Sequence, residues 1–176
     1  MSEDETRMVE TKGAPHVEVV TDESGLRRCW DIRMEVFVHE QNVPPEEEID
    51  ALDTDLSTVH LIATVDGVDV GTLRVLPEKP GYCHIGRVAV RRAARATGIG
   101  YALMSYAERV ALDRCADSDG VVIALSSQEQ AVGFYEKCGY RLLAGERYLD
   151  AGIWHRDMQK TLRIGAAKGD RVDEPD

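Results

Sequence analysis

Residues 91–104 read RRAARATGIGYALM, which gathers three arginines and two glycines at the start of a helical pattern. Gly98 and Gly100 carry no Cβ, so a ligand can approach the backbone closely there. The first turn of a helix also offers unpaired N–H groups and the positive end of its dipole. Together these features make an anion site suited to phosphates, with Arg91, Arg92 and Arg95 able to add charge-assisted contacts. The pattern R-x-x-G-x-G, Arg95 to Gly100, lacks the Lys and Ser/Thr of a P-loop and the third glycine of a dinucleotide fingerprint. On its own it equally describes a solvated basic turn that balances local acid.

Other residues carry possible chemistry. EEEIDALDTD places six carboxylates within ten residues, among them Glu48, Asp50 and Asp53. Such a cluster either concentrates a cationic ligand or is the most solvated part of an acidic chain. Glu40 closes the apolar face of the first helical pattern, as a base at a cleft or as a solvated helix-terminal acid. His155 lies on a strand pattern, where it relays a proton or simply packs. Tyr135 is a core aromatic or a hydroxyl donor. Cys29, Cys83, Cys115 and Cys138 have no paired spacing, so they are expected as free thiols in or near the core, and no metal is assigned.

The composition limits the partners. Against 21 basic residues stand 32 acidic ones, a net charge of -11. That balance argues against nucleic acid, which needs a basic footprint, and favours solubility and cationic small partners. An acidic chain poor in lysine also suits a high-salt cytoplasm. No run is long enough to span a membrane and no signal-like segment opens the chain, so a cytoplasmic protein without a membrane partner is expected.

These residues need a frame. HVEVV at 16–20 reads as a strand. LRRCWDIRMEVFVHEQ places Leu26, Cys29, Trp30, Arg33, Val36, Phe37 and Glu40 at helical spacing, and the prolines at 44 and 45 end that helix. Two strand patterns flank Asp66-Gly67, a hairpin signal, and a turn over Pro77–Gly81 leads into YCHIGRVAV. A helix from about Gly98 to Arg114 buries Ile99, Leu103, Ala107, Val110 and Ala111. GVVIALSS reads as a central strand, and Ser127 with Gln130 as a capping box for a helix carrying Ala131, Phe134, Tyr135 and Cys138. YRLL and GIWHRDMQK supply two last strands. The order predicts a mixed α/β domain over 15–162, with an antiparallel first half, between tails at 1–14 and 163–176.

GRVAVRRAARATGIGYALMSYAERVA followed by SSQEQAVGFYEKCGYR resembles the GCN5-related N-acetyltransferase (GNAT) superfamily. FVHEQNVPPEEEIDALD and LDAGIWHRDMQK resemble a subgroup of small bacterial and archaeal acetyltransferases related to ElaA and YjcF. The resemblance spans about residues 26–161.

It implies a largely antiparallel central sheet with splayed central strands and flanking helices, Gly86–Val90 diverging from Val121–Leu125. It implies acetyl-coenzyme A as acyl donor, its pantetheine arm along Val88, Ala89 and Val90 and its pyrophosphate over Arg95, Ala96, Thr97, Gly98, Ile99 and Gly100. Tyr135 matches the tyrosine beside the sulfur, and a backbone N–H near Val88 is the expected oxyanion donor. Gly86 stands where many members carry a glutamate, so Glu40 becomes the expected base, with His155 a second candidate. The acceptor is expected to be a small primary amine, cationic if Glu48, Asp50 and Asp53 line its cleft. Domains of this type often pair, which makes a homodimer an expectation. A longer acyl donor, an oxygen acceptor, or an inactive coenzyme A-binding module are the alternatives.

Overall fold

The computed structural model describes residues 13–165. The expected tails lie, apart from their inner few residues, outside the described residues.

Eight strands form one sheet: β1 His16–Val19, β2 Val59–Val65, β3 Val68–Lys79, β4 Tyr82–Val90, β5 Gly120–Gln128, β6 Arg141–Leu142, β7 Tyr148–Asp150 and β8 Ile153–Arg163. Their order is β1-β2-β3-β4-β5-β8-β6, with β7 paired to β8. Every pairing is antiparallel except β4 with β5. This is the mixed α/β architecture that the motif order predicts. The β2–β3 hairpin turns at Asp66 and Gly67, both with positive φ, as a two-residue turn of the right hand requires.

Helices cover both faces. α1, Glu23–Arg33, starts where Asp22 accepts a hydrogen bond from the Gly25 amide at 2.7 Å. Its Cys29 and Ile32 pack with Val36 against Ile62 and Ala89 of the sheet. On the opposite face α3, Ile99–Arg114, buries Ile99, Leu103, Met104, Ala107, Val110 and Ala111. α4, Val132–Lys137, adds Tyr135 to that core. The four cysteines are buried free thiols. No helix among the described residues is long and apolar enough to cross a membrane.

Four local readings change. The first helix does not stay α to its end, because Met34–Glu40 widens into a π-helical segment before Gln41. β3 runs on to Lys79, so the turn shrinks to Pro80-Gly81. Ser127 does not cap α4; β5 continues through Gln128, and the Ser127 hydroxyl bonds the Gln128 carbonyl. A further strand, β7, folds back on β8 through a turn at Ala151 and Gly152, both with positive φ.

Candidate active site

The centre of the site is a break in the sheet. β4 and β5 pair over three positions, ending at His84 opposite Ala124. β5 keeps its partner β8 as far as Gln128 opposite His155. β4 therefore leaves β5 at Ile85, and a gap opens between 85–90 and 125–128. The expected gap wall, Val121–Leu125, lies too far back, since Val122, Ile123 and Ala124 are still paired with β4.

A bulge drives the divergence. Thr72 faces Ala89 and Arg74 faces Gly86, so Leu73 alone stands opposite Arg87 and Val88. Arg87 takes φ 53° there. Extra residues of this kind bend the strand and lose their ladder partners. Val88 pairs with neither β3 nor β5 and has a free edge toward the gap.

The glycine–arginine turn sits at the end of β4. Ala96 and Gly98 both have positive φ, 60° and 86°, and no side chain caps the first turn of α3. Alternating hands of this sort make a nest of inward-facing amides. Gly100 is needed for packing as well, because a Cβ there would meet the Phe134 ring at 3.0 Å. Thr97 bonds back to the Ala94 carbonyl. Arg95 donates through Nε to the Val90 carbonyl at 2.9 Å and through Nη2 to Glu40 at 2.7 Å.

The gap opens into a cleft of about 710 Å³. The glycine–arginine turn enters it through Arg95. Tyr135 and Ala131 form one wall, Val36, Phe37 and Gln41 another, and the β7–β8 hairpin brings Asp150 and His155. Gln128 donates to Gln41 at 2.7 Å and ties the end of the first helix to β5. Burial pushes the Tyr135 phenol well above its ordinary range, so it remains a proton donor at neutral pH. His155 bonds the Ile153 carbonyl through Nδ1 at 2.7 Å and stacks on Tyr148.

The acidic segment behaves differently from a solvated or ligand-facing loop. It forms α2, Pro45–Glu48, and a 3₁₀ turn, Ala51–Thr54. Asp53 does not line the cleft. Its carboxylate is fully buried, bonded to Arg33 at 2.7 Å, to Arg74 at 2.8 Å and to the Trp30 indole. Asp50 also lies outside the lining and binds Arg74 through both oxygens. Glu48 reaches the cleft wall, but only 4% of its side chain is exposed, against Arg33 and Arg87. Burial raises Glu48 above its ordinary value despite these cations. For Asp53 the balance goes the other way: burial raises it, yet Arg33 and Arg74 hold it down to about 2. Three arginines neutralise three carboxylates, and spacing gave no sign of this, because Arg33, Arg74 and Arg87 lie on separate elements.

Glu40 likewise stands outside the cleft lining, occupied by Arg95 and, at 4.0 Å, Arg92. Sequence reasoning gave one cleft residue, His84, no role and noted another, Gly86, only for its missing side chain. His84 is the last paired residue of β4, with Nδ1 2.5 Å from Glu78. Gly86, two positions on, has open space where a Cβ would stand.

The acetyltransferase (GNAT) domain family model matches residues 18–162. An uncharacterised N-acetyltransferase of Bacillus subtilis, YjcF, is 38% identical over 142 residues, 81% of this chain and 96% of that protein. A putative N-acetyltransferase from Lactobacillus plantarum superposes with TM-score 0.74 at 29% identity, covering 85% of this chain and 99% of the other. An acyl-CoA N-acyltransferase from Pseudomonas aeruginosa gives 0.70 at 32% identity, covering 84% and 99%.

Proposed function

The chain belongs to the GNAT acetyltransferase family, an acyl-coenzyme A dependent enzyme family, and from that premise we propose that it moves an acetyl group from acetyl-coenzyme A to a primary amine of a small, cationic acceptor. The observation that carries this reading is the gap between β4 and β5, which joins the arginine–glycine turn at one end to a cleft at the other.

In this reading acetyl-coenzyme A is a substrate. Its pyrophosphate lies over the amides of residues 95–100, and its pantetheine arm runs along Val88–Val90. Because the Val90 carbonyl already accepts from Arg95, pairing at Val90 requires that guanidinium to swing toward the phosphates. The acceptor amine attacks the thioester carbon, and the Val88 amide, at the bulge beside the gap, stabilises the oxygen as charge develops on it. Tyr135 protonates the departing thiolate.

The acceptor half of the cleft is lined by Glu47, Glu78 and Asp150 as well as by the neutralised network. Glu47 and Asp150 make no ion pair among the described residues, and Glu78 has only His84. Selection of a cation falls to these three, while Glu48, Asp50 and Asp53 anchor the wall that carries Glu47. Exposed charges are screened within about 10 Å at 0.1 M salt. A diamine is therefore expected to lose its advantage over a neutral-side-chain amine, through KM, both in high salt and in the triple variant Glu47→Gln/Glu78→Gln/Asp150→Asn. Equal preference under all conditions contradicts the cationic acceptor and leaves the acetyl transfer itself standing.

A further inference from the structure

The acyl-transfer reading above, on which the following rests, needs a group that takes the proton from the acceptor ammonium. We propose that His155 is this group, accepting the proton at Nε2 directly or through one water, and that Tyr148 is the residue that holds its ring in position.

The register puts His155 beside the gap. It stands opposite Gln128, the last residue of β5. Residues directly opposite in an antiparallel pair share one face of the sheet, and Gln128 lines the cleft. Ile153, two residues before His155, lines the cleft as well, while Met158, three residues after it, points into the core. At this level β5 has already parted from β4, so His155 lies one strand away from the gap. The acids of the cleft are placed differently. Glu48 is held by Arg33, and Glu47 sits on α2, which Arg87 ties to β4. Glu78 lies beside Tyr82 and Cys83, where β4 and β5 are still paired. Asp150 stands opposite Ile153, further out on the hairpin.

One hydrogen bond sets the state of the ring. Nδ1 lies 2.7 Å from the Ile153 carbonyl oxygen. A carbonyl only accepts, so Nδ1 carries the proton and the lone pair of the neutral ring is on Nε2. Nε2 has no hydrogen-bond partner among the described residues and is not buried. It is thus open to solvent in a residue that lines the cleft. The ring stacks on Tyr148, with centroids 6.0 Å apart and planes at 21°. Tyr148 is itself anchored, since its hydroxyl donates to Asp157 at 2.6 Å and accepts from Ser126. Asp157 stands opposite Ser126 in the same register that sets His155 opposite Gln128. An unprotonated nitrogen open to the cleft, with the other nitrogen and one ring face engaged by the protein, is the arrangement of a base with its orienting groups.

The protons balance. The ammonium gives one proton to His155 Nε2, which passes it to water. The neutral amine forms the N–C bond, the C–S bond breaks, and the second nitrogen proton leaves as the thiolate takes one from Tyr135. The phenol is restored by that second proton, through solvent. The products are amide, thiol and one released proton.

The test is single-turnover acetyl transfer at saturating amine, with acetyl-coenzyme A binding followed by calorimetry. His155→Asn keeps an N–H donor near the place of Nδ1 and has no counterpart of Nε2. It is expected to lower the rate about 100- to 10,000-fold, the range of acid–base contributions, with acetyl-coenzyme A affinity within about twofold of wild type. Added imidazole is expected to restore a substantial part of the rate in His155→Ala and none in Tyr135→Phe. Tyr148→Leu is expected to cost about 3- to 30-fold at saturating amine. It is expected to cost nothing further in the His155→Asn background, as for a residue that acts through another. A folded His155→Asn variant at the wild-type rate overturns the assignment and leaves the acetyl transfer intact, because the hydrogen bond to Ile153 is then the whole role of the side chain. A loss in both His155 variants that imidazole does not restore in His155→Ala also overturns it. A Tyr148→Leu loss of equal size in both backgrounds overturns the positioning role of Tyr148. A wild type that binds acetyl-coenzyme A and acetylates no amine overturns the function and this assignment together.

Discussion

Glu40, the last residue of the π-helical segment, accepts a hydrogen bond from Arg95, the first residue of the glycine turn, at 2.7 Å. The same segment holds a second arginine of the turn, since Glu35 lies 3.1 Å from Arg91. The wall of the acceptor cleft and the expected phosphate site are thus joined by ion pairs. In the proposed reading an incoming pyrophosphate competes with Glu40 for Arg95. Glu40→Gln removes the competing charge, so acetyl-coenzyme A is expected to bind about 3- to 10-fold tighter at low salt, a gain of the size of one partly exposed ion pair. The effect belongs in the dissociation constant, measured by calorimetry. A rate loss of 100-fold at saturation, with affinity unchanged, identifies Glu40 as the base instead.

Gly98 separates backbone from charge in the phosphate nest. Its φ of 86° disfavours any side chain, while the space around it is open. Asn tolerates that conformation better than most residues. Gly98→Asn and Gly98→Asp are therefore expected to lose similar stability, about 1 kcal/mol in each. Only Gly98→Asp adds an anion where phosphate is expected, and it should weaken acetyl-coenzyme A at least 10-fold beyond the Asn variant. Equal affinities in the two variants remove the nest from the binding site.

Asp53 links the buried network to acid stability. Its folded pKa is depressed to about 2, below the ordinary 3.9 or so of an unfolded aspartate. Its contribution is therefore complete above about pH 4 and is lost as pH falls through about 2, a change of roughly 2–3 kcal/mol. Glu48, raised by burial, has the opposite sign, gaining stability as it protonates. Glu48 shares Arg33 with Asp53, so the Asp53→Asn variant keeps that term in altered size. The variant is expected to be about 3–5 kcal/mol less stable near neutrality, since Arg33 and Arg74 lose a buried anion. The gap to wild type should narrow as pH falls from 4 toward 2. Urea midpoints across that range check it, and a constant gap contradicts the ion-pair account.

Local signals carried much of this architecture. The Asp66-Gly67 hairpin, the buried face of α3 and the turn before it follow from nearest-neighbour chemistry, and the structure has them where the residues indicate. The misread parts depend on distant partners. Glu48 and Asp53 look like surface acids until Arg33, Arg74 and Arg87 arrive from α1, β3 and β4. Glu40 looks free until Arg95 folds back onto it. Ser127 has a capping residue's chemistry, but β8 keeps β5 extended through that position. The place of His84 in the cleft carried no local sign, because the parting of β4 from β5 is set by another strand. A stutter in the helical period, such as the π-helical segment at Met34–Glu40, is also invisible to a fixed 3.6-residue count.

The central claim is that the gap between β4 and β5 seats an acyl thioester beside Tyr135. It is tested most directly by amine-dependent release of thiol from acetyl-coenzyme A, with mass spectrometry of the acetylated amine, in wild type and Tyr135→Phe. Wild type is expected to release thiol in step with acetylated product across a panel of primary amines. Tyr135→Phe, which keeps the ring and deletes the hydroxyl, is expected to bind acetyl-coenzyme A as wild type does and to turn over about 10- to 1000-fold more slowly. Wild-type protein that binds acetyl-coenzyme A without amine-dependent thiol release, or a Tyr135→Phe variant at full rate when chemistry is limiting, contradicts the account.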